Sequence, residues 1–321
     1  NGSIPTDFYM SDTDFEKAKR KQTSIGYGLE HKFSNQLTAR QNVRYTHLEQ
    51  DTQTLIYWAW ADSDQTTMER HASRYHDEVQ TLGVDNQLQY ETKMGQATHT
   101  LLGGVDYKHM TYTSRQSTGS GDVLNLNWLN PDYSLTASDV ESTLSEAEHS
   151  KQTRRQVGVY LQDQIEVGRW NFVISGRNDW AHLNLDDYLY NSADSTKVQK
   201  ATGRVGALYT FDNGVAPYAS YSTSFEPITS KDADGEILKP TTAEQAEVGI
   251  KYQPKESQSS VSAAVFDLHQ NNVASYDYTT YSYKQTGEIG SKGLELESNL
   301  QLTDELKITT AYAYTEAEIL E

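Results

Sequence analysis

Residues 37–45 read Leu37-Thr38-Ala39-Arg40-Gln41-Asn42-Val43-Arg44-Tyr45, and their alternation decides the fold. In an extended strand successive side chains point to opposite faces, so one face here is apolar and the other carries Arg40, Asn42 and Arg44. The same grammar sets Val157, Val159, Leu161 and Ile165 against Tyr160, Gln162, Gln164 and Glu166. It sets Leu294, Leu296, Leu300 and Leu302 against Glu295, Glu297, Asn299 and Gln301, and Leu306, Ile308, Tyr312 and Tyr314 continue it. A 3.6-residue helical period fits none of these stretches.

Extended along the chain, the test gives roughly twelve strands. Their spans are 23–33, 36–49, 72–92, 96–113, 150–167, 170–185, 199–211, 215–225, 242–254, 259–271, 283–302 and 305–319. Short connections such as Ser34-Asn35, Gly168-Arg169 and Asp212-Asn213-Gly214 alternate with long polar ones at 50–71, 114–149, 186–198, 226–241 and 272–282. Asn and Gly accept positive φ cheaply, so Asp-Asn-Gly is a hairpin turn. Strict short–long alternation puts every long connection on one side of an up-and-down sheet. That is the plan of an outer-membrane barrel. Soluble antiparallel proteins also alternate, but strands this long exceed the usual ~5–6 residues, and a propeller's repeat is missing from the sequence.

Composition agrees. Among 321 residues, Lys and Arg total 27 and Asp and Glu 45, a formal net charge of −18, which argues against nucleic acid as a partner. Hydrophobic residues make up 36%, mean hydropathy is −0.74, and no run approaches the ~18 apolar residues of a spanning helix. A β-barrel remains open, because only alternate strand residues meet lipid. The absence of Cys removes disulfides, thiolate metal sites and cysteine nucleophiles. Tyr occurs 22 times against 7 Phe and 5 Trp; it suits places with one wet and one greasy side. The opening NGSIPTDFYMSD has the features of no signal peptide.

Particular stretches carry a family resemblance. Phe211-Asp212-Asn213-Gly214-Val215-Ala216-Pro217-Tyr218-Ala219-Ser220-Tyr221 onward to Pro227, Lys239-Pro240-Thr241-Thr242-Ala243-Glu244-Gln245-Ala246-Glu247-Val248-Gly249, Gly293-Leu294-Glu295-Leu296-Glu297 and Val159-Tyr160-Leu161-Gln162-Asp163-Gln164 resemble the barrels of TonB-dependent siderophore receptors. Arg40-Gln41-Asn42-Val43-Arg44-Tyr45 and His99-Thr100-Leu101-Leu102-Gly103-Gly104-Val105-Asp106 resemble the ferrichrome and other ferric-hydroxamate receptors within that family. The resemblance implies an all-β, antiparallel transmembrane barrel of about 22 strands, plugged by an N-terminal domain. Residues 1–321 would then be part of one barrel domain, with plug and C-terminal strands lying outside it. Such an open sheet leaves two unpaired edges, which lipid does not tolerate, so this portion alone would not transport.

The resemblance further implies a receptor in the outer membrane of a Gram-negative bacterium, importing a ferric siderophore and energised through TonB, with outer-membrane lipid around it. Iron would arrive inside its ligand; no cofactor, catalytic residue or resident metal is implied. Leu55-Ile56-Tyr57-Trp58-Ala59-Trp60-Ala61 falls where these receptors place paired aromatics against the chelate, in the connection after strand 36–49. Tyr57, Trp58 and Trp60 would wall the ligand, and indole N–H and phenol O–H groups would reach its oxygens. The plainer alternative is an aromatic girdle at the membrane interface. Tyr112 and Trp128 are further contact candidates. Arg115-Gln116-Ser117-Thr118 departs from the ferrichrome-receptor pattern, which makes a ferrioxamine or coprogen the alternative hydroxamate.

Other constellations are weaker. His71 and His76 are five residues apart and face opposite ways on a strand, so they read as surface histidines rather than metal ligands. Asp232-Ala233-Asp234-Gly235-Glu236 opens like a calcium loop but lacks the later ligands and reads as a turn. Two other functional classes compete: an outer-membrane barrel lipid hydrolase, which needs a Ser–His pair on neighbouring strands of a smaller barrel, and a soluble polysaccharide-binding β-protein.

Overall fold

The computed structural model describes residues 4–12, 14–255, 257–280 and 282–320. Twelve long strands follow one another as an antiparallel meander: β1 (Lys17–Lys32), β2 (Leu37–Trp60), β3 (Thr67–Met94), β4 (Ala97–Gly119), β6 (Ser145–Val167), β7 (Trp170–Asp187), β8 (Ser192–Tyr209), β9 (Val215–Glu226), β10 (Thr241–Tyr252), β11 (Ser260–Asp277), β12 (Ser282–Gln301) and β13 (Lys307–Ile319). A short β5 (Leu126–Asn127) pairs with β3 beside the path, and one five-residue helix, α1 (Ala137–Glu141), sits in the β4–β6 connection. β1 and β13 each have one paired neighbour.

All twelve expected strands are present, but several long connections are shorter than expected. The expected loop 50–71 is mostly strand: β2 and β3 stay paired from Leu37↔Tyr90 to Trp60↔Met68. Expected loops 186–198 and 272–282 shrink to the few residues between β7 and β8 and between β11 and β12. The physical reason is that backbone pairing does not need an apolar face. Pairs such as Gln50↔Asp77 and Asp51↔His76 continue the ladder where both faces are polar, so the ladder persists after the alternation ends. Segment 227–240 remains a loop, crossed by one bridge between Lys231 and Ile237.

Register separates the two faces. One row of direct partners reads Tyr27, Val43, Val84, Tyr107, Val157, Trp180 across six strands. The adjoining row on the opposite face reads Gly28, Asn42, Asp85, Asp106, Gly158, Asp179. The apolar face stays open, with Leu161 61% and Ile174 55% exposed, a largely greasy surface that water would not tolerate, interrupted by polar groups such as Asn178 and the His99–Asp163 pair. We call it the outer face and the polar one the inner face. On β7, Trp170 and Trp180 lie ten residues apart on the outer face. At ~3.3 Å per residue and a tilt of about 40°, they stand roughly 25 Å apart in height, the thickness of a barrel's apolar band between its aromatic girdles. Around Trp170, Phe172 and Tyr209 lie at centroid distances of 5.6 and 4.9 Å and form the lower girdle.

The inner wall is braced by polar contacts. Arg177 donates to Asp106 and, from Nε at 2.7 Å, to Asp179, while Gln156 donates to Asp179 at 2.8 Å. Tyr160 donates to Asp85 at 2.7 Å and lies flat across its direct partner Gly104, where a Cβ would stand 2.4 Å from the ring.

Candidate functional site

The candidate site lies at the outer end of β2 and β3, beyond the apolar band. A bulge interrupts the pairing there: Tyr57 opposes Arg70 and Ala59 opposes Glu69, leaving Trp58 as the extra residue. Bulges re-aim side chains, and this one divides the aromatic group. Trp58 stacks on His71 at 4.4 Å with planes 10° apart, and His71 belongs to the inner face with its partner Ile56. Tyr57 and Trp60 meet edge-to-face at 5.5 Å and share the opposite face with their partners Arg70 and Met68. The expectation of one aromatic loop is therefore corrected: these residues end a strand and look two ways.

Tyr112, on β4, is also an inner-face residue; it pairs with Val79 and donates its hydroxyl to Asp77 Oδ1 at 3.0 Å. His71 and Val79 are eight residues apart on β3, so Trp58 and Tyr112 sit about 26 Å apart along the strand. Tyr75 lies midway on the same face, and Gln116 donates to its hydroxyl at 3.1 Å. Trp58, His71, Tyr75 and Tyr112 thus line one inner-face track down the outer mouth. Sequence reasoning missed Tyr75 and set His71 aside; the parity of strand 72–92 puts Tyr75 on the inner face, and carried one residue further out it adds His71, the ring on which Trp58 stacks. His71 and His76 do face opposite ways, and His76 pairs with Asp51 on the outer face at 2.7 Å.

Trp128 is used otherwise. Its indole N–H donates to Gln65 O at 2.7 Å and its backbone N–H to Thr66 O at 3.0 Å, which fastens the β4–β6 connection to the β2–β3 turn. In that turn Asp62 accepts from the Thr66 hydroxyl and backbone N–H, which holds its carboxyl below the usual range.

A compact cap covers the outer face at this level. Phe15, Leu55, Ala72, Leu124 and Val140 are buried together, with Leu135 and Leu144 against them. Arg70, 1% exposed, donates to the carbonyls of Leu124, Met10 and Ser11, the last two at 3.0 and 3.2 Å, and so ties segment 4–16 and the β4–β6 connection to β3. Helix α1 starts with a reciprocal cap in which the Thr136 hydroxyl accepts from Asp139 N–H and Asp139 accepts from Thr136 N–H. On the inner face, loop 227–240 reaches across the wall: Glu226 pairs with Arg154, Thr229 donates to Gln152 and Lys231 pairs with Asp194. Asp232 accepts from Asp234 N–H and Glu236 N–H, so the expected calcium-like segment is a turn. Among the described residues no cluster of three or more His, Asp or Glu side chains has the spacing of a metal site.

A long meander with one apolar and one polar face and a band about 25 Å high is the architecture of an arc of a membrane β-barrel. Residues 1–320 match the family model described as TonB dependent receptor-like, beta-barrel. The chain belongs to that family. It is 35% identical over 316 residues to the ferrioxamine B receptor of Salmonella typhimurium, covering 98% of this chain and 44% of the relative. It is 32% identical over 337 residues to the ferrichrome outer membrane transporter/phage receptor of Escherichia coli, covering 98% and 45%. The fold matches the crystal structure of the siderophore receptor PiuA from Acinetobacter baumannii with a TM-score of 0.84 at 18% identity, over 97% of this chain and 48% of that one. The chain spans about half the length of the relatives it matches.

Proposed function

We propose that this chain is an arc of the barrel of an outer-membrane receptor for ferric siderophores of the hydroxamate class, energised through TonB, with iron carried as cargo inside the ligand. The observation that carries the reading is the inner-face track of Trp58, His71, Tyr75 and Tyr112 at the outer mouth. A ferric trihydroxamate presents an apolar periphery and carbonyl oxygens, and such ligands are held by aromatic walls with a few polar groups. Tyr57 and Trp60 pack against each other on the other face of the strand end, and Trp128 clamps the β2–β3 turn. Kinship with a ferrioxamine B receptor, joined to polar Arg115–Thr118 at the end of β4, favours a ferrioxamine over ferrichrome.

The test is equilibrium binding to the full-length receptor in detergent, read by tryptophan fluorescence. Ferric ferrioxamine B, ferrichrome, their iron-free forms and a ferric catecholate are compared. Saturable quenching by one ferric hydroxamate and by neither the iron-free forms nor the catecholate is the expected result. A saturable response to the catecholate alone would overturn the ligand class.

A further inference from the structure

Between two tyrosines of the inner-face track stands the half-buried carboxylate of Asp77. It lies on β3 two residues below Tyr75 and two above Val79, whose direct partner on β4 is Tyr112. One phenol therefore stands above it and one below, each about 7 Å away along the strand direction. The Tyr112 hydroxyl donates to Asp77 Oδ1 at 3.0 Å and fixes the carboxylate, while Oδ2 has no partner among the described residues. Burial, with Asp77 adding to it, pushes the Tyr112 phenol above its ordinary value, so that hydroxyl stays a donor.

The wall leaves this charge uncompensated. On the same inner face Arg177 serves Asp106 and Asp179, Arg154 serves Glu226, and Lys231 serves Asp194. Asp77 has no such cation among the described residues. The rows of direct partners through Tyr75, Asp77 and Val79, read across β2, β3, β4 and β6, hold no Lys or Arg. Their one other charged group is Glu148, which accepts from the Ser150 hydroxyl at 2.8 Å. The first arginine along the Asp77 row, Arg20, is two strands away and donates to Gln22 at 3.2 Å.

A free carboxylate oxygen between phenol rings suits a compact cation. The carboxylate supplies charge and an acceptor, and aromatic faces attract a cation within ~6 Å through their quadrupoles. The same charge repels an anionic chelate, so it selects as well as binds. The stack of Trp58 on His71 lies four residues, or about 13 Å, above Tyr75. An iron-bearing core held in that interval would reach Asp77 by a flexible methylene tail extending one step further down.

We propose that Tyr75, Asp77 and Tyr112 seat a primary ammonium group of the ligand, so that the receptor prefers a ferric hydroxamate with a free amine to a neutral or anionic chelate. This rests on the hydroxamate reading above and names a specificity determinant within it.

The test titrates the full-length receptor in detergent, by tryptophan fluorescence, with ferric ferrioxamine B, which ends in a primary amine, and with its N-acetylated derivative. Ferrichrome, which has no amine, is the third ligand, and heat-modifiable gel migration confirms folding. Acetylation is expected to weaken binding about tenfold. Asp77→Asn, which keeps an acceptor for Tyr112, should bind the amine form about tenfold more weakly and the acetylated form as before, so the preference disappears. Glu78→Gln removes the same charge one residue away on the outer face and should keep the preference. Equal binding of the two forms by the unmodified receptor, or an unchanged Asp77→Asn variant, would overturn the ammonium seat and leave the hydroxamate reading in place. An equal loss in Glu78→Gln would replace the contact by a general field and overturn it too. Failure of all three ferric hydroxamates to bind would remove the hydroxamate reading and the seat together.

Discussion

Strand β3 shows one face to two surroundings. In its lower half Val84, Leu88 and Tyr90 stand on the outer face, open and flanked by apolar, aromatic or small partners. In its upper half Met68, Arg70 and Ala72 stand on that same face but are buried under segment 4–16 and the β4–β6 connection. Lipid serves the first half and folded chain serves the second. The lower half needs no apolar core of its own, because the bilayer solvates it. The upper half, in water, gathers the buried cluster of Phe15, Leu55, Leu124 and Val140 and pins it with an arginine.

Breaking the pin should separate the halves most sharply. Arg70→Leu leaves three backbone carbonyls without their donor and should cost about 3–4 kcal/mol locally. Hydrogen exchange is expected to accelerate by two orders of magnitude or more in segment 4–16 and around residues 120–128. Amides of Leu82–Tyr90 should exchange as before. Leu55→Ala removes a core side chain and should cost about 2–4 kcal/mol in the cap alone. On the lipid side, Leu88→Arg should cost about 2–3 kcal/mol, read as a lower unfolding midpoint in urea with vesicles present, while Leu88→Ala costs far less. Equal effects of Leu55→Ala and Leu88→Ala would erase the distinction.

The inner wall gives a smaller effect. Gly104→Ala places a Cβ into the ring of Tyr160 and should cost about 1–3 kcal/mol while freeing Asp85 from the Tyr160 hydroxyl. Double mutation with Tyr160→Ala should recover part of that loss. Smallest is the acid response of the cap. Contacts from Thr136 hold the Asp139 carboxyl below its ordinary value, so its contribution is in place above about pH 3.9 and fades as pH falls through the lower folded value. Acid titration followed by exchange at α1 should show this, and Asp139→Asn should remove it.

How much was legible follows from the same comparison. Alternation revealed the twelve strands because lipid demands a greasy face, and short turns such as Asp212-Asn213-Gly214 carry their own chemistry. Beyond the band both faces tolerate polar residues, so the continuation of β2 through Gln50, Asp51 and Thr52 left no periodic trace. The division of Tyr57, Trp58 and Trp60 was hidden for another reason: a bulge at Trp58 shifts parity by one, and only pairing with β3 exposes it. Tyr112 and Trp128 show the limit of composition, since one aromatic lines the inner track and the other spends its indole N–H on a backbone carbonyl.

The most direct measurement compares Trp58→Phe, Trp58→Ala and Trp60→Ala in ferric ferrioxamine B binding to the full-length receptor. The inner-face assignment expects affinity to fall at least tenfold in Trp58→Ala, to recover largely in Trp58→Phe, and to change little in Trp60→Ala. Loss of affinity in Trp60→Ala with Trp58→Ala unaffected would place the ligand on the other face of β2 and contradict the site.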